Sequence, residues 1–143
     1  MENPQDLGLT TLEIQQGHEV PATTRYAAAV LVHKLISDKD LNTLDEQFLK
    51  EGLLLALAKG LKDSQASIKK ECSIIVMKMN KWIDKKLEQF KPLLLPLVSI
   101  LGEDDFTLVI QSLDTLRVLS MHEVLRDYTV DNGAVSVLCS YIA

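Results

Sequence analysis

The chain has 143 residues, of which 47% are apolar and only 5% aromatic, and its formal net charge is −5. That length suits one domain, which buries about 68–70% of its unfolded surface, and apolar content drawn mostly from Leu, Ile, Val and Ala favours helices packed on helices over an aromatic-rich sheet. The longest nearly uninterrupted apolar stretch, Leu93 to Leu101, falls far short of the about 20 residues that cross a bilayer, so no membrane span is expected.

In chain order, the first strong helical segment begins Thr23-Thr24-Arg25-Tyr26 and runs through Ala27-Ala28-Ala29-Val30 to Ile36. A short leucine-rich helix follows at Leu53–Leu61, then the turn Lys62-Asp63-Ser64, then a longer helix over 66–79. There Ile68, Cys72, Ile75, Val76 and Met79 recur at helical spacing and give one face to bury. Lys81 to Lys91 reads as a separate helix with Ile83, Leu87 and Phe90 on one side. Pro92 suits the first turn of the next helix, where a missing N–H costs nothing, while Pro96 must lie in that first turn or kink it. The segment Leu93–Leu101 leads to a second acidic turn, Gly102-Glu103-Asp104-Asp105, and to a helix over 106–120 whose stripe is Phe106, Val109, Ile110, Leu113 and Leu116. Acids in both turns suit the helix starts that follow, where backbone N–H groups are unpaired. Asn132-Gly133 supplies a left-handed residue for a sharp bend, and Ala134–Ala143 is an apolar helix.

These elements repeat. Leu53-Leu54-Leu55-Ala56-Leu57-Ala58-Lys59-Gly60-Leu61 overlays Leu93-Leu94-Leu95-Pro96-Leu97-Val98-Ser99-Ile100-Leu101, and Ala134, Val135, Leu138 and Ile142 fall on Leu93, Leu94, Leu97 and Leu101. Among the long helices Ala28, Cys72 and Ser112 share one column, read as the crossing point between successive repeats, because a small side chain lets helices approach closely.

A short leucine-rich helix, an Asp-containing turn and an apolar-basic-x-x-small helix, repeated every about 40–47 residues, resembles the armadillo and HEAT repeats. The last element reads Thr24-Arg25-Tyr26-Ala27-Ala28 and Ile68-Lys69-Lys70-Glu71-Cys72; the third copy, Leu108-Val109-Ile110-Gln111-Ser112, has Val109 in place of the basic residue. The stretch Glu123 to Val135 is similar to the armadillo passage from a first helix through Gly into the second. The resemblance implies an all-α fold, a right-handed superhelix or α-solenoid. It implies one domain over 1–143 with repeats at about 8–37, 41–80 and 81–120 and a partial repeat at 121–143, a piece of a longer solenoid. The Trp-x-x-x-Asn array with which armadillo import receptors hold nuclear localisation peptides is absent, since Lys86 stands four places after Trp82.

Catalysis finds little support. His18, His33 and His122 are scattered, with no His or Cys at metal-ligand spacing; Cys72 and Cys139 both sit in apolar segments and read as buried thiols; Glu103-Asp104-Asp105 lacks the alternation and Gly of a calcium loop; and the six glycines form no phosphate loop. No enzyme activity, cofactor or metal is expected. With no glycosylation sequon and no signal-peptide pattern, a cytoplasmic setting is expected, with the nucleus also allowed.

The expected function is a non-catalytic scaffold or adaptor that binds a partner protein or peptide on the wall formed by the long helices. The candidate contacts on that wall are Arg25, Lys34, Lys69, Lys70, Lys78, Gln111, Asp114 and Arg117. The closing helix lacks the polar outer face of a terminal repeat, so Val135, Leu138, Tyr141 and Ile142 are expected to stack or self-associate. Two alternatives rank below. Between Lys59 and Lys91 nine lysines face four acids, a local +5 that leaves −10 elsewhere, and such a band could dock tubulin or nucleic acid. A helical adaptor superhelix of the ENTH/VHS kind is the other.

Overall fold

The computed structural model of the chain describes residues 20–38, 52–85 and 87–143. All of the elements described are helical: α1 (Ala22–Asp38), α2 (Leu53–Gly60), α3 (Ala66–Lys78), a 3-10 helix (Met79–Lys85), α4 (Leu87–Ile100), α5 (Phe106–Leu119), α6 (Glu123–Asp131) and α7 (Ala134–Ile142). The fold is all-α. His18, Lys86 and the opening parts of the first two expected repeats, 8–19 and 41–51, lie outside the described residues.

The helices pack like with like. Long helix α1 lies on α3, and α3 on α5; in a second layer α2 lies on α4, and α4 on α6. The layers meet where α2 packs on α3 and α4 on α5. The reason is an apolar stripe on each of the two later long helices: Ile68, Cys72, Ile75 and Val76 of α3, and Leu108, Val109, Leu116 and Leu119 of α5, are buried in one core with Leu57, Leu61, Leu94, Leu97 and Leu101 of the short-helix layer. On α5 this differs from the expected stripe, because the helix turns Leu108, Ser112, Thr115 and Leu119 inwards and leaves Phe106 and Ile110 exposed. Neither kind of helix can hide its stripe alone, so burial in one unit depends on the next.

Local chemistry sets the joints. Asp105 precedes α5 and accepts hydrogen bonds from the Thr107 and Leu108 N–H groups at 3.2 and 3.3 Å, the N-cap role foreseen for the acidic turn. Gly133 enters α7 at φ 87°, as the Asn132-Gly133 pair predicts, and Gly52 opens α2 at φ 79°. A residue with a Cβ would be strained at either position.

The structure differs from expectation around the prolines. No separate helix occupies Lys81 to Lys91; instead a 3-10 turn ends at Lys85 and α4 runs continuously from Leu87 to Ile100 through Pro92 and Pro96. Each proline frees one carbonyl four residues earlier, at Glu88 and Pro92. Burial of Phe90, Leu93, Leu94, Pro96 and Leu97 along that helix outweighs the cost. Trp82, Ile83 and Phe90 are packed in the core.

The small-residue column also has a different neighbour from the one expected. A Cβ built on Gly60 would lie 2.3 Å from Cys72 Sγ, and Ser112 Oγ donates to the Leu97 carbonyl at 2.8 Å. Cys72 and Ser112 therefore mark where a long helix crosses the short helix of its own unit, not where successive long helices meet. The stacking of long helix on long helix uses polar rungs instead.

Candidate interaction surface

Those rungs consume several of the candidate contact residues. Arg25 of α1 reaches the turn before α3, donating from Nε to Asp63 Oδ2 at 2.8 Å and from Nη2 to Asp63 Oδ1 at 3.0 Å. One unit along, Lys69 of α3 donates to Glu103 in the turn before α5 at 2.6 Å. The third position of the series is Val109, which is buried, so the series stops at α5. Further rungs join His33 Nδ1 to Glu71 Oε1 at 2.9 Å, His122 Nε2 to Asn80 Oδ1 at 3.1 Å, and the fully buried hydroxyls of Ser73 and Thr115. The guanidinium of Arg25 holds the Asp63 carboxyl below the usual carboxylate range, against the opposing effect of burial. Arg25 and Lys69 thus belong to the seams between units and are not offered on an open wall.

The other candidates do share an open face. With about 3.6 residues per turn, the side of α3 opposite the buried stripe carries Lys70, Ile74 and Met77, and these are exposed or half-buried. The matching side of α1 carries Tyr26, Val30 and Lys34, and that of α5 carries Ile110, Asp114 and Arg117. Side chains bridge the three faces: Lys78 Nζ donates to Ser37 Oγ at 3.2 Å, and Gln111 Nε2 lies 3.9 Å from Met77 Sδ. Asp114 accepts from Arg117 one turn on, at 2.7 Å. Ile110, Gln111, Leu113, Asp114 and Arg117 line a depression of about 320 Å³ on α5. The charged candidates were legible in the sequence, but the apolar residues between them were missed. Their signal was an apolar residue on the polar side of a stripe, Tyr26 and Val30 on α1 and Ile74 on α3; Ile110 belongs to the stripe expected to be buried on α5 and is exposed.

At the far end, α7 leaves Ile142 86% exposed and Val135 50% exposed, with Tyr141 also exposed and Leu138 half-buried. Their repeat counterparts Leu101 and Leu94 are fully buried, so the same face is covered in the preceding unit and open here. Phe106 and Tyr141 meet edge to face across this end with ring centroids 6.4 Å apart. Cys139, expected to be buried, is exposed on α7, because nothing among the described residues covers that side.

A cavity of about 480 Å³ opens between α1, α2 and α3, lined by Ala28, Val32, Leu53, Leu57 and Ile75 with Asp63 at its edge. Cys72 contributes to its wall, and burial pushes that thiol up to about 12, far from nucleophilic. Among the described residues no three His, Cys, Asp or Glu side chains converge as a metal site would require, and no helix is long and apolar enough to cross a membrane. Trp82 and Phe90, the aromatics of the basic band, are buried and offer no stacking platform for a base.

No family model, curated protein or solved structure matches the chain, and the functional reading rests on this geometry.

Proposed function

We propose that the chain is a segment of a right-handed armadillo/HEAT-like α-solenoid and works as a non-catalytic scaffold, in the cytoplasm or nucleus, presenting the shared open face of α1, α3 and α5 to a partner protein or peptide. One observation carries this reading. Long helix stacks on long helix and short on short, so three like faces lie side by side, with half-exposed apolar residues set among lysines. Such a surface recognises by shape and charge rather than by chemistry on a substrate.

The exposed apolar end of α7 fits stacking against a further helical unit, whether in another copy of the chain or in another protein. The band from Lys59 to Lys91 keeps its charge but loses its aromatic partners to the core, which favours protein over single-stranded nucleic acid.

The test is affinity capture from cell extract followed by mass spectrometry, comparing the wild-type chain with Ile74→Glu/Ile110→Glu. Proteins held by the wild type and lost from the variant are the expected result. An identical set from both would remove the open face from consideration.

A further inference from the structure

We infer that the open face takes an acidic peptide segment with one large apolar side chain, the anchor and the first carboxylate lying about three residues apart. This rests on the scaffold reading and adds the chemistry of the partner.

Charge complementarity is the first argument. The chain as a whole is acidic, at −5, yet this face carries Lys70, Lys78 and Arg117 against Asp114. That carboxylate is already committed to Arg117. Asp105, at the edge of the face, is committed to capping α5: its carboxyl is held below the usual range chiefly by the Thr107 hydroxyl, with Lys70 adding the smallest share. Lys78 reaches the hydroxyl of Ser37, a neutral group. Carboxylates brought by a partner would therefore meet Lys70 and Lys78, which stand in no ion pair among the described residues.

Apolar anchoring is the second argument. Ile110 is 64% exposed and forms part of the wall of the depression on α5, with Leu113 and Arg117 beside it. Ile74 and Met77 of α3 carry the apolar strip towards Val30 and Tyr26 of α1. A Leu-sized side chain seated against Ile110 would exclude water from a spot otherwise fully wetted, which is where binding energy concentrates.

Spacing follows from the helix layer. Neighbouring helices lie about 8–10 Å apart, and an extended chain advances about 3.3–3.6 Å per residue, so a strand laid across the helices passes one helix every three residues or so. An anchor on α5 thus places the residue three positions away over α3, between Lys70 and Lys78, whose Cα atoms stand about 12 Å apart along the helix and whose long side chains can turn towards it.

The experiment selects binders to the full-length chain from a random peptide library displayed on phage, then measures the selected peptides by fluorescence anisotropy. The variants are Lys70→Glu/Lys78→Glu, Lys70→Gln/Lys78→Gln and Ile110→Ser, each checked for unchanged helicity by circular dichroism. Enrichment of an apolar residue three places from Glu or Asp is expected, with affinity falling about tenfold on charge reversal and less on neutralisation. Replacing Glu by Gln in the peptide should cost a similar factor. Selected peptides that are neutral or basic, or that ignore the lysine variants while still losing affinity with Ile110→Ser, would overturn the acidic partner and leave the scaffold face standing. Peptides indifferent to all three variants, or no enrichment at all, would overturn both.

Discussion

The hydroxyls of Ser73 and Thr115 meet at 2.8 Å across the α3–α5 seam, 42 residues apart in the chain and both fully shielded from water. Thr115 Oγ1 also lies within hydrogen-bonding reach of the Ser73 carbonyl at 2.9 Å and the Gln111 carbonyl at 3.0 Å. Replacing Thr115 by Val keeps the shape and leaves the Ser73 hydroxyl without this partner, at a cost of about 1–3 kcal/mol. Ser73→Ala/Thr115→Val should recover much of that loss. Urea denaturation of the single and double variants measures the coupling, and strictly additive losses would contradict a shared bond.

The Arg25–Asp63 pair sets a pH dependence. Because the folded-state pKa of Asp63 is lowered from the ordinary 3.8, its contribution is fully present above that value and is lost as pH falls through the lower folded-state pKa. Arg25→Ala should cost about 1.5–3 kcal/mol at neutral pH and less under strongly acidic conditions. Thermal melts of both proteins from pH 7 down to pH 2 would show the gap narrowing; a constant gap would mean the pair is electrostatically idle.

Gly60 offers a test of close approach. Gly60 closes α2 in ordinary helical backbone, where Gly→Ala would by itself gain up to about 1 kcal/mol. Here the added Cβ would sit 2.3 Å from Cys72 Sγ, and the expected net effect is a loss of about 1–3 kcal/mol. In a Cys72→Ala background the obstacle is gone, and Gly60→Ala should turn neutral or stabilising. The reversal of sign between the two backgrounds, read by chemical denaturation, is the signature.

The two cysteines should differ in reactivity. Cys139 is exposed, whereas Cys72 is buried with its thiol pushed up to about 12. Titration of the native protein with a chromogenic disulfide at mildly alkaline pH should show one prompt thiol per chain, and two after denaturation. Two prompt thiols in the native protein would show the α2–α3 crossing to be open.

The apolar end gives a prediction about assembly. If Ile142 and Leu138 stack on a second molecule, Leu138→Glu and Ile142→Glu should lower the mass found by light scattering at high concentration without loss of helix. A wild-type chain that is monomeric throughout would assign that face to a different partner.

Much of this architecture was legible in the sequence. The long helices at 23–36, 66–79 and 106–120 were readable because apolar residues recur along them at helical spacing for three turns or more, although on α5 the buried side is that of Leu108, Leu116 and Leu119 and not that of Phe106 and Ile110. Asp105 and Gly133 were readable because capping and left-handed turns demand particular residue types. What escaped is what depends on partners distant in sequence. Arg25 and Lys69 looked like free surface cations because their acceptors, Asp63 and Glu103, lie 38 and 34 residues away. Cys72 and Ser112 do occupy equivalent places, each against the short helix of its own unit, but alignment names a column and not what packs on it. The continuous helix through Pro92 and Pro96 ran against propensity and was decided by burial. Exposure of Cys139 could not be read from an apolar segment whose covering is absent among the described residues.

Both ion-pair rungs run in the same sense, with the cation on the earlier long helix and the carboxylate in the later turn. The assembly accordingly has a front and a back, like a row of plugs and sockets, and two molecules meeting back to back could not make this bond between them. With Val109 where the next plug belongs, the series ends at α5. Anything added beyond it would lack this one ion pair, and its joint would lose the share of salt dependence that the pair gives the joints behind it.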